Sequence, residues 1–157
     1  GLEEAFNGER QAAVDEVVRR YITTRGPVTE ADVRWWSKLP LREVRAALSR
    51  LPEVDGLYLP LDALPATPAS AFRTPLLLPA FDEYILGYQD RLFAMTEAMH
   101  DHLVPGNMGV FRKAVVVDGV VRASWSGAGG RLAVADVAGV PKYALPGIER
   151  AFRAFPF

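Results

Sequence analysis

Cysteine is absent from the 157 residues, which removes disulfides, thiolate nucleophiles and cysteine-held zinc. Histidine is nearly absent, with His100 and His102 alone. Lysine is scarce, because fifteen of the eighteen basic residues are arginine. No apolar run approaches the roughly 18–20 residues of a membrane span. The longest, residues 74–81 and 114–117, are the size of strands. Residues 1–25 are densely charged, which is not the pattern of a secretion signal. What remains is an ordinary globular mix, half apolar and a quarter charged, unlike a disordered chain or a rod. At this length a folded chain hides roughly 70% of its unfolded surface, enough for a real core. The expectation is a soluble protein, with an intracellular compartment the simpler reading.

The net charge of −1 hides a pattern. Residues 1–25 carry −1, residues 26–51 carry +2, residues 52–125 carry −4 and residues 126–157 carry +2. The densest positive run is Arg34, Lys38, Arg42, Arg45 and Arg50. Arginine forks suit phosphate, although a GC-rich genome also favours the residue.

Val14, Val17, Val18, Tyr21 and Ile22 follow helical spacing within residues 7–24. Arg25-Gly26-Pro27 stops that helix, with Gly26 predicted as a left-handed cap. Thr29 and Asp32 resemble a capping box and start a second helix over residues 30–37. Pro40 is expected in the first turn of a third helix that runs to about Leu51. Its stripe of Leu41, Val44, Leu48 and Leu51 faces inward, and its other face carries Arg42, Arg45, Ala46 and Ser49. Val54-Asp55-Gly56-Leu57 then reads as a tight hairpin. Three helices and a hairpin over residues 7–60 predict a winged helix.

Six of the twelve prolines lie between Pro52 and Pro79, which marks a boundary. Beyond it the hydrophobic period changes to two. Residues 74–79 read as a strand, residues 81–88 as a turn or a single helical turn, and residues 96–103 as a short helix. Residues 110–117 and 120–125, joined by Asp118-Gly119, form the strongest hairpin. Residues 131–137 add a strand and residues 145–155 a terminal helix. The predicted class is α+β: a winged helix followed by a small β-barrel-like domain closed by a C-terminal helix. The divisions are 1–60, a linker over 61–74, and 75–157. Trp35, Leu48, Phe81 and Trp125 are expected in the core.

Several constellations carry chemistry, each with a plainer reading beside it. Arg42, Arg45 and Ser49 have the i, i+3, i+7 spacing of a helix laid in the major groove. Arg34 and Lys38 fall at the preceding turn, where phosphates would be met. The plainer reading is the solvated face of a surface helix. His100-Asp101-His102 lacks a third ligand, and two histidines two apart on a helix face apart, so no metal is expected. Asp82, Glu83 and Asp90 could support base chemistry, but a turn cap at Asp82 and an ion pair to Arg91 explain them better. The loop from Ser126 to Gly130 could cradle a phosphate, yet it has neither the frame nor the lysine of a P-loop.

Tyr21-Ile22, Gly26-Pro27-Val28-Thr29, Asp32, Trp35-Trp36 and Leu39, followed by an Arg-Ala-Ala-Leu helix, resemble one winged helix of the AlkZ/YcaQ-like family. Leu77-Leu78-Pro79-Ala80-Phe81-Asp82, leading through Gly87-Tyr88 to Asp90-Arg91, resembles that family's most recognisable stretch. Residues 115–119 and 120–125 match its next block. The resemblance covers residues 14–155. It implies a bacterial winged-helix DNA-binding protein of a family that includes glycosylases excising alkylated or crosslinked purines. Full-length members carry tandem winged helices and then a barrel-like domain, so this chain resembles their C-terminal part. The family's catalytic Gln-x-Gln motif lies toward the N-terminus of full-length members, whereas the only glutamines here are Gln11 and Gln89. No catalytic residue can therefore be carried over. Asp82, Asp90 and Arg91 stand as residues of the family motif.

The resulting expectation is a DNA-binding module of a DNA-repair protein, cytoplasmic and nucleoid-associated, with double-stranded DNA as partner and no cofactor, metal or membrane. Arg34, Lys38, Arg42, Arg45 and Ser49 are its candidate contacts. Two alternatives stay open: an active glycosylase, or a non-catalytic structural or protein-interaction domain. Should the third helix not meet DNA, Arg112, Lys113 and Arg122 are the next cations to consider.

Overall fold

The computed structural model describes residues 9–59, 70 and 73–156. The start expected at residue 7 and most of the linker expected over 61–74 lie outside them. The chain divides into two compact units. The first takes the described residues up to 59 together with Leu86–Asp90, and the second takes the rest.

In the first unit, helix α1 (Arg10–Arg25), helix α2 (Glu30–Ser37) and helix α3 (Leu41–Leu48) precede strands β1 (Glu53–Val54) and β2 (Leu57–Tyr58). Val14, Val18, Tyr21 and Ile22 repeat at helical spacing and bury one face of α1 against Val33, Val44 and Leu48. Thr29 and Asp32 form the capping box expected from the sequence. Asp55 and Gly56 both adopt positive φ, as a tight two-residue hairpin requires. Val28 exchanges two backbone hydrogen bonds with Tyr58, which ties the α1–α2 connection to the hairpin.

Four local expectations need correction. Gly26 is extended rather than left-handed, and its N–H still closes the helix onto the Ile22 carbonyl. Pro40 is the N-cap of α3 and not part of its first turn, and the helix ends at Leu48 rather than Leu51. Trp35 is 38% exposed. Neighbouring helical residues point about 100° apart, so both tryptophans cannot face the core. Trp36 packs inward, its ring 4.9 Å from that of Tyr21.

The second unit holds one antiparallel sheet in the order β3-β4-β5-β6. Its strands are β3 (Leu76–Leu78), β4 (Ala114–Val117), β5 (Val120–Ser126) and β6 (Ala133–Asp136). Helix α4 (Glu83–Leu86) spans the boundary at which the chain passes from the second unit into residues 86–90 of the first, and helices α5 (Glu97–Leu103) and α6 (Leu145–Arg153) belong to the second. All four residues of β4 are buried. Ala114 and Val116 pack with Met99 and Leu103 of α5. Val115 and Val117 pack with Ile148 and Phe152 of α6. A strand covered on both faces carries an unbroken apolar run, and this one does.

That layering explains why no closed barrel forms among the described residues. The sheet has cores on both faces, and β3 and β6 are each paired on one side only. The register shifts at Arg122 on β5, where Val116 opposes Val121 and Val115 opposes Ala123. Such a bulge reverses the alternation, so Val121 joins the α5 side while Ala123 and Trp125 join the α6 side. Phe81, expected in the core, is 56% exposed. Its φ of 64° turns the side chain out of the fold, and its ring rests 5.5 Å from that of Phe111. Leu48 and Trp125 are buried as expected.

Candidate nucleic-acid interface

The turn between α2 and α3 is built by an unusual backbone choice. Lys38 caps α2 in the left-handed conformation, at φ 56°, where glycine would be the easier residue. Its ammonium stands 3.5 Å from the centre of the Trp35 ring. The Trp35 indole N–H is held by the Leu86 carbonyl at 3.1 Å, so the ring presents its face to Lys38 instead of turning inward. Around this pair lies an open groove of about 510 Å³, lined by Arg34, Trp35, Lys38, the start of α3 and Gln89.

The five cations of the sequence divide into two groups. Arg45 makes a two-pronged contact with Glu30, at 2.9 and 3.1 Å, and the bond to that carboxylate raises its pKa. Arg50 pairs with Asp15. Glu43 of α3 is engaged by Arg10 through two bonds of 2.9 and 3.1 Å. Ser49 caps α3, its hydroxyl donating to the Ala46 carbonyl at 3.0 Å. Arg34, Lys38 and Arg42 are exposed and have no carboxylate partner among the described residues. The i, i+3, i+7 row of Arg42, Arg45 and Ser49 is thus one unpaired cation, one paired cation and a helix cap. Sequence spacing found the helix face. It could not find Glu30, fifteen residues from Arg45, as the group that occupies it.

The groove also has a wall that the sequence hides. Residues 86–90 return to the helices through four bonds. Tyr21 Oη donates to the Gly87 carbonyl, and Tyr88 Oη donates to the Arg25 carbonyl at 3.0 Å. The Gln89 N–H reaches the buried Asp32 carboxylate at 2.8 Å, and the fourth bond is that from Trp35. Gln11, the other glutamine, donates to Asp15 at 2.8 Å and serves α1.

The remaining candidates are explained locally. Asp82 Oδ1 accepts the Tyr84 N–H at 2.8 Å, the turn cap expected for it. Asp90 is exposed, whereas Arg91 is buried. Arg91 Nε donates to the Ile85 carbonyl at 3.1 Å, the guanidinium lies 5.3 Å from the Phe111 ring, and burial lowers its pKa. His100 faces Asp101, and His102 Nε2 shares a 2.7 Å hydrogen bond with Ser124 Oγ. Burial, and then the charge of Arg112, lower the His102 pKa. No cluster of three potential metal ligands occurs among the described residues. Nor is any described helix long and apolar enough to cross a membrane.

A family model described as DNA glycosylase AlkZ-like matches residues 2–155. The chain belongs to the AlkZ-like DNA glycosylase family. No curated protein matches it significantly. Among solved structures, the Streptomyces sahachiroi DNA glycosylase AlkZ is similar over 91% of this chain at 21% identity, with a TM-score of 0.70. At that identity the likeness is one of fold. The chain spans 42% of that AlkZ structure.

Proposed function

We propose that this chain is a duplex-contacting part of an AlkZ-like protein, and that its first unit works as a winged helix over residues 1–60. In this reading residues 61–74 are the linker and residues 75–157 the partner domain. The observation that carries it is the trio of Arg34, Lys38 and Arg42. Arg34 and Lys38 line one open groove at the α2–α3 turn, Arg42 lies in the first turn of α3 next to it in sequence, and none of the three has a carboxylate partner among the described residues. Cations neutralised by their own protein contribute little to phosphate binding, so the trio is the electrostatic footprint. Arg45 and Ser49 flank it, with Arg45 available to DNA only if it leaves Glu30.

Three phosphate contacts give a log–log salt slope of about −3 for duplex binding. Arg34→Ala with Arg42→Ala should reduce that slope to about −1 and weaken binding to every sequence alike. Fluorescence anisotropy with labelled duplexes across a salt series reads both quantities. A double variant with the parent's slope would remove the α2–α3 turn from the interface, and with it the winged-helix reading of DNA contact.

A further inference from the structure

A second groove, of about 730 Å³, lies within the second unit where the β4–β5 ladder runs out into the loop after Ser126. Its size is that of an ordinary small-ligand site. Its lining includes Phe111, Arg112, Lys113, Ser124, Trp125 and Val134, and it contains no carboxylate. Arg112 is exposed, and its guanidinium meets the His102 ring, at 3.3 and 3.5 Å. Lys113 lies 4.5 Å from the Trp125 ring centre. Neither cation has an acidic partner among the described residues. Beside them stands the exposed ring of Phe81, tilted by 54° against that of Phe111. Left-handed backbone at a bulky residue is costly, so a phenylalanine held there, facing outward, is a feature that folding alone does not favour.

Cations without counter-charges next to an open aromatic face are the chemistry of single-stranded nucleic-acid binding. The cations track the phosphates and the ring accepts a base, whatever its identity. A duplex keeps its bases stacked inside and cannot use Phe81 in this way. We infer that this groove takes unpaired nucleotides of a DNA strand, with backbone phosphate at Arg112 and Lys113 and a base stacked on the exposed ring of Phe81. The site is separate in sequence and in unit from the groove of Arg34 and Lys38, and stands or falls independently of it.

The test uses the full chain and a labelled short oligothymidylate. Arg112→Ala and Phe81→Ala alter exposed side chains, and each should weaken binding about tenfold. Arg34→Ala with Arg42→Ala should leave it unchanged, and the same sugar-phosphate chain without bases should bind at least several-fold more weakly. The Trp125 indole N–H, anchored to the Leu78 carbonyl at 2.9 Å, gives a resonance in the parent protein that should shift as the oligothymidylate is added. Parent-like binding by either single variant would overturn the inference. So would equal affinity for the base-free chain, which reduces the site to a phosphate contact, or a Trp125 resonance that does not move. Loss of binding in the Arg34/Arg42 variant would also overturn it, by moving the strand to the first unit.

Discussion

Gly147 sits in α6, where a side chain would have no room. A Cβ built there would come within 2.7 and 2.9 Å of the Pro75 ring. A proline ring cannot swing aside, so the backbones themselves would have to part. Gly147→Ala should therefore destabilise the protein by about 1–3 kcal/mol, despite the better helix propensity of alanine. Urea titration followed by circular dichroism would measure it. A neutral or stabilising result would mean that the α6–β3 contact yields easily. Lys38 illustrates the opposite balance at the same scale. Its left-handed backbone favours glycine, while its ammonium is held over Trp35. Lys38→Gly should change stability by less than about 1 kcal/mol, because backbone relief offsets the lost cation–π contact. Duplex binding should weaken nonetheless. A variant that keeps full affinity would exclude Lys38 from the interface.

Among the elements, α2 depends most on one side chain. Asp32 is buried and accepts the Thr29 N–H at 3.0 Å, the Thr29 hydroxyl at 2.7 Å and the Gln89 N–H at 2.8 Å. It serves the helix cap and the returning segment together. Asp32→Ala should cost about 2–3 kcal/mol, the sum of a lost cap and an orphaned N–H. Asp32→Asn retains an acceptor for Gln89 and should cost less. Hydrogen exchange at the Gln89 amide would report the loss locally. Helix α1 carries the clearest pH dependence. Hydrogen bonds from Arg19, then Arg20, hold the Glu16 carboxyl down from 4.5 to about 2. A depressed carboxylate stabilises the fold above its unfolded pKa, and that contribution is lost as pH falls through the folded value. Melting temperatures of the parent and Glu16→Gln should therefore converge between pH 4.5 and pH 2. A constant gap across that window would show that Glu16 is not the titrating group. The elements were largely legible in the sequence, because α1, the capping box and both Asp-Gly hairpins depend on local chemistry. Their ends were less so. The strand expected over residues 110–117 begins only at Ala114, and Phe111, Arg112 and Lys113 before it line the second groove.

For the whole molecule, the family is one of DNA glycosylases, and the chain covers 42% of the AlkZ structure it resembles. Excising a base needs a pocket for the flipped nucleotide and groups that steady a cationic sugar while water attacks. The glutamine motif that the family resemblance implies has no counterpart here, with Gln11 and Gln89 each alone in sequence. Asp82 is engaged as a turn cap. The 157-residue chain should release no alkylated purine above background, even at high protein concentration. Chromatography of free bases from an alkylated duplex would check this. Release abolished by Asp82→Asn with the fold intact would instead make the chain an enzyme in its own right.

Helical spacing, a capping residue and a two-residue turn act over a few bonds, so the sequence by itself determined the three helices of the first unit, the hairpins and the apolar run of β4. It also marked Arg34, Lys38 and Arg42. Which cations remain free was a tertiary decision, because Glu30 and Asp15 reach Arg45 and Arg50 from other helices. So was the openness of the sheet, since only packing reveals that α5 and α6 cover opposite faces. The clearest case is residues 86–90. Their sequence places them in the strand-rich half, yet Tyr21, Arg25, Asp32 and Trp35 bind them from 51 to 66 residues away. Hydrogen bonds at that separation leave no periodicity to read, because each partner is chosen by position in space and not along the chain.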